Sequence, residues 1–197
     1  MTKISPPTPI PINELGFDFD GVIADTAEAF IRLACIEHGY CSFTQESITN
    51  FELEHCLDMP QSLIGKIFTD ILNDSLGTGL RPMPGAVQSL ERFTETGVVT
   101  IITARPVIQP VFDWLEHFLS RTTREKIRVV ATGDHNDKVR HIHEHNLKFF
   151  IDDRAETCMQ LAKETIFPFV FSQPWNRNRH DLPTVVDWHE IQALVAQ

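Results

Sequence analysis

Short apolar runs rich in β-branched residues alternate with longer segments of helical periodicity, and this alternation most constrains the fold. Strands are predicted from about residue 15 and over residues 98–102, 127–131, 148–151 and 167–171. Helices are predicted over residues 86–96, 108–120, 138–145, 155–163 and 188–195. Strands separated by helices favour a mainly parallel sheet that is covered on both faces. The predicted fold class is therefore α/β, with a doubly wound, mainly parallel sheet.

One stretch interrupts the alternation. Residues 26–80 contain no segment with the pattern of a strand. Residues 26–40 have helical spacing, and a second helix is predicted after Pro60, where apolar residues recur at steps of three and four. Gly77 and Gly79 are expected to end that second helix. The stretch therefore indicates a helical insertion between the first two strands of the sheet.

The domain organisation follows from these patterns. Residues 1–13 contain four prolines, which lack a backbone donor and fix φ, so this segment is predicted to be an extended arm. The α/β core is assigned to residues 14–25 and 81–197, and residues 26–80 form a small helical cap inserted after the first strand. A chain of 197 residues buries enough apolar surface for one such domain without metal or disulfide staples.

Charge and cysteine content restrict the partners and the compartment. There are 17 Lys and Arg residues against 27 Asp and Glu residues, a net charge of −10. This balance argues against long nucleic acid or an anionic membrane surface as the main partner, but allows a small phosphorylated substrate. The sequence has neither a secretory signal nor a membrane span, and its cysteines form no CxxC pair, so we expect reduced thiols in a cytoplasmic protein. The cysteines are Cys35, Cys41, Cys56 and Cys158.

Polar residues stand where the predicted strands end or the next helix begins. In an open α/β sheet, ligands bind beyond the carboxyl ends of the strands. Four such positions carry groups that can act on phosphate, so we expect one site at this edge. Its candidate residues are Asp18, Asp20, Thr103, Lys138, Asp152 and Asp153.

The residue types at this edge suggest phosphate chemistry. Clustered carboxylates repel each other unless a cation neutralises them, and oxygen ligands of this kind suit Mg²⁺. Asp18 and Asp20 are two residues apart, so along a strand they face the same side. One of the two can act as a nucleophile, and the other can act as a general acid and base. Thr103 supplies a hydroxyl to a phosphate oxygen, and Lys138 supplies a positive charge.

The motifs resemble those of the haloacid dehalogenase superfamily of phosphotransferases. Residues 17–22 (FDFDGV) are similar to its first motif, residues 101–106 (IITARP) to its second, Lys138 to its third and residues 150–154 (FIDDR) to its fourth. The resemblance covers about residues 14–172. It implies a phosphatase whose helical cap closes over the substrate.

The resemblance also implies residue roles. Asp18 forms an aspartyl-phosphate, Asp20 is the general acid and base, and Thr103 and Lys138 complete the catalytic set. The implied Mg²⁺ ligands are Asp18, the backbone carbonyl of Asp20, and one of the acids Asp152 and Asp153. The residues that are expected to contact the substrate are Gly21, Ala104 and Arg105.

Three runs narrow the expected substrate. Residues 103–106, 151–154 and 173–176 (QPWN) together resemble the 5′(3′)-deoxyribonucleotidase group, which implies a nucleoside 5′-monophosphate. A sugar phosphate or phosphoglycolate is the alternative substrate, and a non-catalytic sensor of a phosphorylated ligand is the alternative of another class. Aromatic and apolar side chains of the cap can stack near a base or, as we favour, pack in the cap's core. These are Phe43, Phe51 and Leu53.

Overall fold

The computed structural model describes residues 9–134 and 137–196 and has a six-stranded, all-parallel sheet. In chain order the strands are β1 (Leu15–Phe17), β2 (Val99–Thr103), β3 (Ile127–Ala131), β4 (Phe149–Asp152), β5 (Phe167–Phe171) and β6 (Thr184–Val185). Their order across the sheet is β3-β2-β1-β4-β5-β6, and every neighbouring pair is parallel. The predicted fold class is confirmed.

Three helices lie between β1 and β2, and the first two, α1 (Thr26–His38) and α2 (Gln61–Asn73), belong to residues 26–80. The others are α3 (Ala86–Thr96), α4 (Gln109–Phe118), α5 (Arg121–Arg124), α6 (Lys138–Glu144), α7 (Ala155–Leu161) and α8 (Trp188–Leu194). Short 3₁₀ turns cover Ile12–Glu14, Gln45–Ser47 and Leu53–His55. Among the described residues, none of these helices has the length and apolar character that a bilayer crossing needs.

The apolar core lies on both faces of the sheet because side chains alternate along each strand. Phe149 and Ile151 of β4 belong to the larger apolar cluster, whereas Phe150 belongs to a second cluster. In the larger cluster, Phe17 stacks on Trp188 of α8 with ring centroids 5.5 Å apart. Helices therefore cover both faces, as the alternation of strands and helices predicts.

Residues 26–80 contain α1, α2 and two 3₁₀ turns, and no strand. Asp25 caps α1 by accepting a hydrogen bond from the Glu28 N–H at 3.1 Å. Phe30 of α1 stacks on Phe68 of α2 with centroids 5.1 Å apart. The inward-facing isoleucines of α2 join the same apolar cluster as the sheet, so the helical segment packs continuously with the core.

The expected extended arm is wrong for residues 9–13, and residues 1–8 lie outside the described part of the chain. Ile10 is fully buried, and its N–H donates to the Leu194 carbonyl at 2.7 Å. Ile12 is also buried, at the start of a 3₁₀ turn. A proline removes only its own donor, so Ile10, between two prolines, still pairs with the C-terminal segment, and both isoleucines pack in the core.

The expectation of four reduced cysteines is wrong for two of them. Cys35 and Cys41 form a disulfide, with Cα atoms 4.2 Å apart. Gly39 ends α1 with a φ of 80°, a left-handed conformation that turns the chain back. Cys41 thereby returns beside the last turn of α1. Cys56 and Cys158 are free thiols.

Candidate active site

The carboxyl ends of neighbouring strands bring the predicted acidic residues together. β1 pairs with β4 so that Phe17 lies opposite Ile151. The next residue, Asp18, donates its backbone N–H to the Ile151 carbonyl at 2.8 Å. Its side chain therefore reaches the end of β4, where Asp152 and Asp153 follow.

Lys138 joins two of these carboxylates. Its Nζ lies 2.9 Å from Oδ2 of Asp18 and 2.7 Å from Oδ2 of Asp152. The lysine is the first residue of α6 and is completely buried. Burial lowers the pKa of Lys138, but the charges of Asp152 and Asp18 raise it by a larger amount, so the net shift is upward. Lys138 is therefore a permanent buried cation between Asp18 and Asp152.

The carboxylates outnumber this cation. One oxygen each of Asp18, Asp152 and Asp153 lies within 4.8 Å of the others, and all three residues are buried. Burial raises the pKa of Asp18 to about 7. The charge of Lys138 lowers this pKa, and the charge of Asp152 raises it. Burial and the charge of Asp152 also raise the pKa of Asp153 well above its ordinary value. A set of hard oxygen donors with excess negative charge fits a divalent cation such as Mg²⁺.

Asp152 and Asp153 differ in which oxygens are already engaged. Asp152 accepts from Lys138 on Oδ2 and from the Arg154 N–H on Oδ1 at 2.8 Å. The side-chain carboxylate of Asp153 accepts only from the Trp175 Nε1–H on Oδ2, at 3.1 Å, among the hydrogen bonds of the described residues. Asp153 lines the cavity at this edge of the sheet, and Asp152 does not. Asp153 is thus the better placed of the two to contact a cation directly.

Asp20 lies beside this cluster and has its own cation. Arg105 binds it through two hydrogen bonds, Nε to Oδ2 at 2.8 Å and Nη2 to Oδ1 at 2.7 Å. The Thr26 hydroxyl donates to Oδ1 at 2.6 Å. Burial raises the pKa of Asp20, but Arg105 and Thr26 lower it by more, so the net shift is downward. The carboxylate is ionised and held in one orientation.

The remaining predicted residues lie around the carboxylate cluster and the Asp20–Arg105 pair. Thr103 is buried at the end of β2, and its Oγ1 accepts from the Arg105 N–H at 3.3 Å. Ala104 lines the cavity. Gly21 has a φ of 71°, and a Cβ there would collide with the Asp153 carboxylate. Only glycine combines that backbone conformation with so close an approach.

Several residues that shape the site were not predicted to be site residues. Gln173 donates from Nε2 to the Gly21 carbonyl at 2.9 Å, and Asn176 donates from Nδ2 to the Asp153 carbonyl at 2.8 Å. Together with Trp175, they belong to the run at residues 173–176 that contributes to the family resemblance, and this run follows β5, whose end lies at the same edge. Thr26 and Ser75 contact the Asp20–Arg105 pair without any local sequence signal.

A cavity of about 320 Å³ opens between the sheet edge and the helical segment. Its floor includes Asp18, Asp20 and Asp153, and its walls are mostly apolar. Phe51 and Leu53 line it while packing with the core, whereas Phe43 stacks on Tyr40 and is absent from the lining. The apolar lining residues are Ala27, Phe30, Ile48, Phe51, Leu53, Ile64, Phe68, Leu72, Ala104, Pro106 and Trp175. The site therefore combines a floor of carboxylates, next to the buried Lys138, with an apolar pocket.

Comparison with known proteins identifies the class of this site. Residues 11–197 match the family model described as 5′ nucleotidase, deoxy (pyrimidine), cytosolic type C protein. A curated protein of Oceanobacillus iheyensis, named "Putative nucleotidase", is 22% identical over 203 residues, which cover 90% of this chain and 96% of that protein.

Solved structures support the fold. A haloacid dehalogenase-like hydrolase from Streptococcus pneumoniae superposes with a TM-score of 0.59 at 12% identity, covering 90% of this chain and 95% of the other. CbbY from Rhodobacter sphaeroides, solved in complex with phosphate, has a TM-score of 0.54 at 14% identity, covering 91% and 96%. The expected superfamily and phosphatase class are confirmed. The chain belongs to the 5′ nucleotidase, deoxy (pyrimidine), cytosolic type C protein family.

Proposed function

We propose that the protein is a Mg²⁺-dependent phosphomonoesterase that hydrolyses nucleoside 5′-monophosphates through an aspartyl-phosphate on Asp18. The observation that carries the proposal is the position of Asp18. Its carboxylate lies at the floor of an apolar cavity, next to a buried lysine and two further buried carboxylates. A nucleophile, a phosphate-binding charge and a pocket for a base are thus adjacent.

The proposed metal ligands are Asp18, Asp153 and the backbone carbonyl of Asp20, with Asp152 holding Lys138 in place. Bound Mg²⁺ supplies positive charge to the phosphate oxygens and to the carboxylates. Lys138, together with such a cation, would keep Asp18 ionised near neutral pH, despite the burial that raises the pKa of Asp18. The ionised Asp18 then attacks the phosphorus atom.

Asp20 moves the protons in this scheme. It donates a proton to the leaving ester oxygen when Asp18 attacks, and then accepts a proton from the water that hydrolyses the aspartyl-phosphate. Arg105 favours the ionised form, which suits the second step. In the first step, the negative charge of the bound phosphate raises the pKa of Asp20 and favours its protonated form. Thr103 and Lys138 bind phosphate oxygens.

The apolar walls favour a nucleoside over the smaller alternatives. A base gains free energy by leaving water for an apolar pocket, whereas a sugar phosphate or phosphoglycolate would leave polar groups unpaired there. We assign Phe51 and Trp175 to the base-binding wall, with Gly21 and Ala104 near the phosphate. The cavity of about 320 Å³ falls at the lower end of ordinary small-ligand pockets.

We further propose that residues 26–80 act as a cap over the site. Polar contacts join this segment to the loop after β5, among them a hydrogen bond from Arg179 Nη2 to the Thr49 carbonyl at 2.9 Å. Gln45 donates from Nε2 to Oε1 of Gln173 at 2.9 Å, and Arg177 Nη1 lies 2.7 Å from Oε2 of Glu46. The cap thus covers the cavity, and its opening would admit substrate.

The description of the family as cytosolic supports a cytoplasmic location, which we propose for this protein. The Cys35–Cys41 disulfide is a feature of oxidising compartments and counts against that location. Alkylation of free thiols in freshly lysed cells, followed by mass spectrometry, decides between the two. Modification of both cysteines supports the cytoplasm, and protection of both contradicts it.

The function is tested by measuring kcat/KM for a panel of monophosphates with and without Mg²⁺. The panel contains deoxynucleoside and ribonucleoside 5′-monophosphates, a hexose phosphate and phosphoglycolate. We expect Mg²⁺-dependent phosphate release, with the highest kcat/KM on a nucleotide. A preference for the hexose phosphate or phosphoglycolate would overturn the substrate class. Binding of these compounds without turnover of any of them would indicate a sensor instead.

A further inference from the structure

Arg105 is expected from its sequence motif to contact the substrate, but its guanidinium group forms hydrogen bonds to Asp20 and Ser75. Nε and Nη2 form a two-pronged contact with the Asp20 carboxylate, at 2.8 and 2.7 Å. Only 1% of the side chain is exposed to solvent. This planar pairing fixes the carboxylate in direction as well as in position, which a lysine in the same place does not do.

The third nitrogen anchors the arginine to the helical segment. Nη1 donates to the Ser75 hydroxyl at 2.7 Å, and Ser75 lies just after α2, where the chain returns to the sheet. The guanidinium also lies over the Phe19 ring, 4.9 Å from its centroid. Each of the three nitrogens therefore has a partner within the protein, and these contacts use three of the five N–H groups of the guanidinium at the wall of the cavity.

We propose that Arg105 is a positioning residue that orients the Asp20 carboxylate for proton transfer and does not bind the substrate. Ser75 in turn holds Arg105. The inference rests on the proposed function, because it concerns the residue that moves protons in that reaction. Arg105 contributes to catalysis only through Asp20, and its replacement affects kcat far more than KM.

The substitution Arg105→Lys separates orientation from charge. Lysine keeps the positive charge beside Asp20 but replaces the rigid fork by a single mobile ammonium group. A loss of alignment in a proton-transfer group lowers the rate by up to about 100-fold. We expect kcat to fall about 10- to 100-fold, with KM within about twofold of wild type.

A double-mutant cycle with Asp20→Asn tests whether Arg105 acts only through Asp20. Activity is measured with Mg²⁺ on an aryl phosphate, whose good leaving group keeps the Asp20→Asn variant measurable. We expect the double variant to be no slower than Asp20→Asn alone. If the two single losses multiply in the double variant, or if Arg105→Lys raises KM and leaves kcat unchanged, the inference is wrong.

Two further variants guard against a folding defect. Ser75→Ala keeps both Asp20 contacts but removes an anchor of Arg105, so kcat falls by a smaller factor, and this loss also vanishes in the Asp20→Asn background. Arg32→Lys is the matched control, because Arg32 donates to the Thr78 and Gly79 carbonyls at 3.0 and 2.9 Å. It supports the same turn without contacting Asp20, so its kcat stays at the wild-type value.

The outcome also separates this inference from the proposed function. A wild-type protein without metal-dependent phosphatase activity, or an Asp18→Asn variant of full activity, refutes the proposed function and the inference with it. An active wild type with an inactive Asp18→Asn variant upholds the function. Multiplying losses in the cycle of Arg105 and Asp20 then refute the positioning role alone.

Discussion

Replacement of Lys138 by methionine removes the buried cation that separates Asp18 from Asp152. Methionine has a similar length and fits an apolar environment, so the variant mainly deletes a charge. Both carboxylates lose an ion pair, at 2.9 and 2.7 Å, and a third buried carboxylate, Asp153, lies within the same cluster. The metal-free variant is therefore expected to be strongly destabilised.

The expected size follows from the burial of the partners. Lys138 and Asp152 are completely buried, and Asp18 is 5% exposed, so solvent does not screen the charges that remain. Breaking a buried pair by removing one partner costs about 3–5 kcal/mol, and Lys138 serves two pairs. We expect Lys138→Met to lower the free energy of unfolding by at least about 3 kcal/mol, out of about 5–15 kcal/mol for a typical domain.

The loss should depend on pH with a defined sign. The pKa of Asp18 is already raised to about 7 beside Lys138, and removing the lysine raises it further. Between about pH 4 and that raised value, the folded state binds more protons than the unfolded state, so stability falls as pH rises. The variant should therefore lose more stability at about pH 8 than at about pH 5.

Urea unfolding in EDTA, followed by circular dichroism at both pH values, measures this loss. The matched control is Lys66→Met, because Lys66 forms an exposed ion pair with Asp70 at 2.6 Å and its removal should scarcely change the midpoint. Added MgCl₂ should stabilise Lys138→Met more than wild type, because the site has become more negative. A loss of less than about 1 kcal/mol at pH 8, or a larger loss at pH 5 than at pH 8, would refute the reasoning.

Three further predictions concern the metal site. Asp153→Asn should weaken Mg²⁺ binding, measured by calorimetry, at least about tenfold, because the outer-shell partners of a site already alter affinity 10–100-fold; unchanged affinity would remove Asp153 from the ligands. Gly21→Ala should lower both stability and Mg²⁺ affinity, because its Cβ meets the Asp153 carboxylate at a φ of 71°. Gly39→Ala is its control, with a φ of 80° and no atom within 4 Å of the added Cβ, so strain alone should lower stability, by about 1–2 kcal/mol. Mg²⁺ binding should release protons below about pH 7 and weaken as pH falls, because the pKa of Asp18 is raised in the metal-free protein; proton release is read from the buffer dependence of the binding enthalpy, and affinity that is flat with pH would contradict it.

Local periodicity carried much of the fold prediction. Helix α3 and strands β3 and β5 lie at the predicted bounds, because their apolar residues follow the helical or extended pattern over five or more residues. Strand β6 has two residues and helix α5 has four, too few for a period to be recognised. The burial of Ile10 among the N-terminal prolines was missed because its hydrogen-bond partners, Leu194 and Ala196, lie at the other end of the chain.

The candidate site, like the fold, has features that the sequence predicts and features that it does not. Acidic residues at strand ends were predictable because parallel strands carry their carboxyl ends to one edge. The partners of Arg105 were not, since Asp20 and Ser75 are 85 and 30 residues away and only the folded chain brings them together. The Cys35–Cys41 pairing depends on a left-handed turn at Gly39, which the spacing of cysteines does not reveal.

The central claim is that Asp18 is the nucleophile, and chemical trapping tests it most directly. Borohydride reduces an acyl phosphate to the alcohol, so quenching a turnover mixture with it should convert Asp18 to homoserine. Peptide mass spectrometry should find this conversion only when both Mg²⁺ and a substrate are present, and not in Asp18→Asn, which should be inactive. Full turnover by Asp18→Asn, or homoserine at another aspartate in the wild type, would contradict the account.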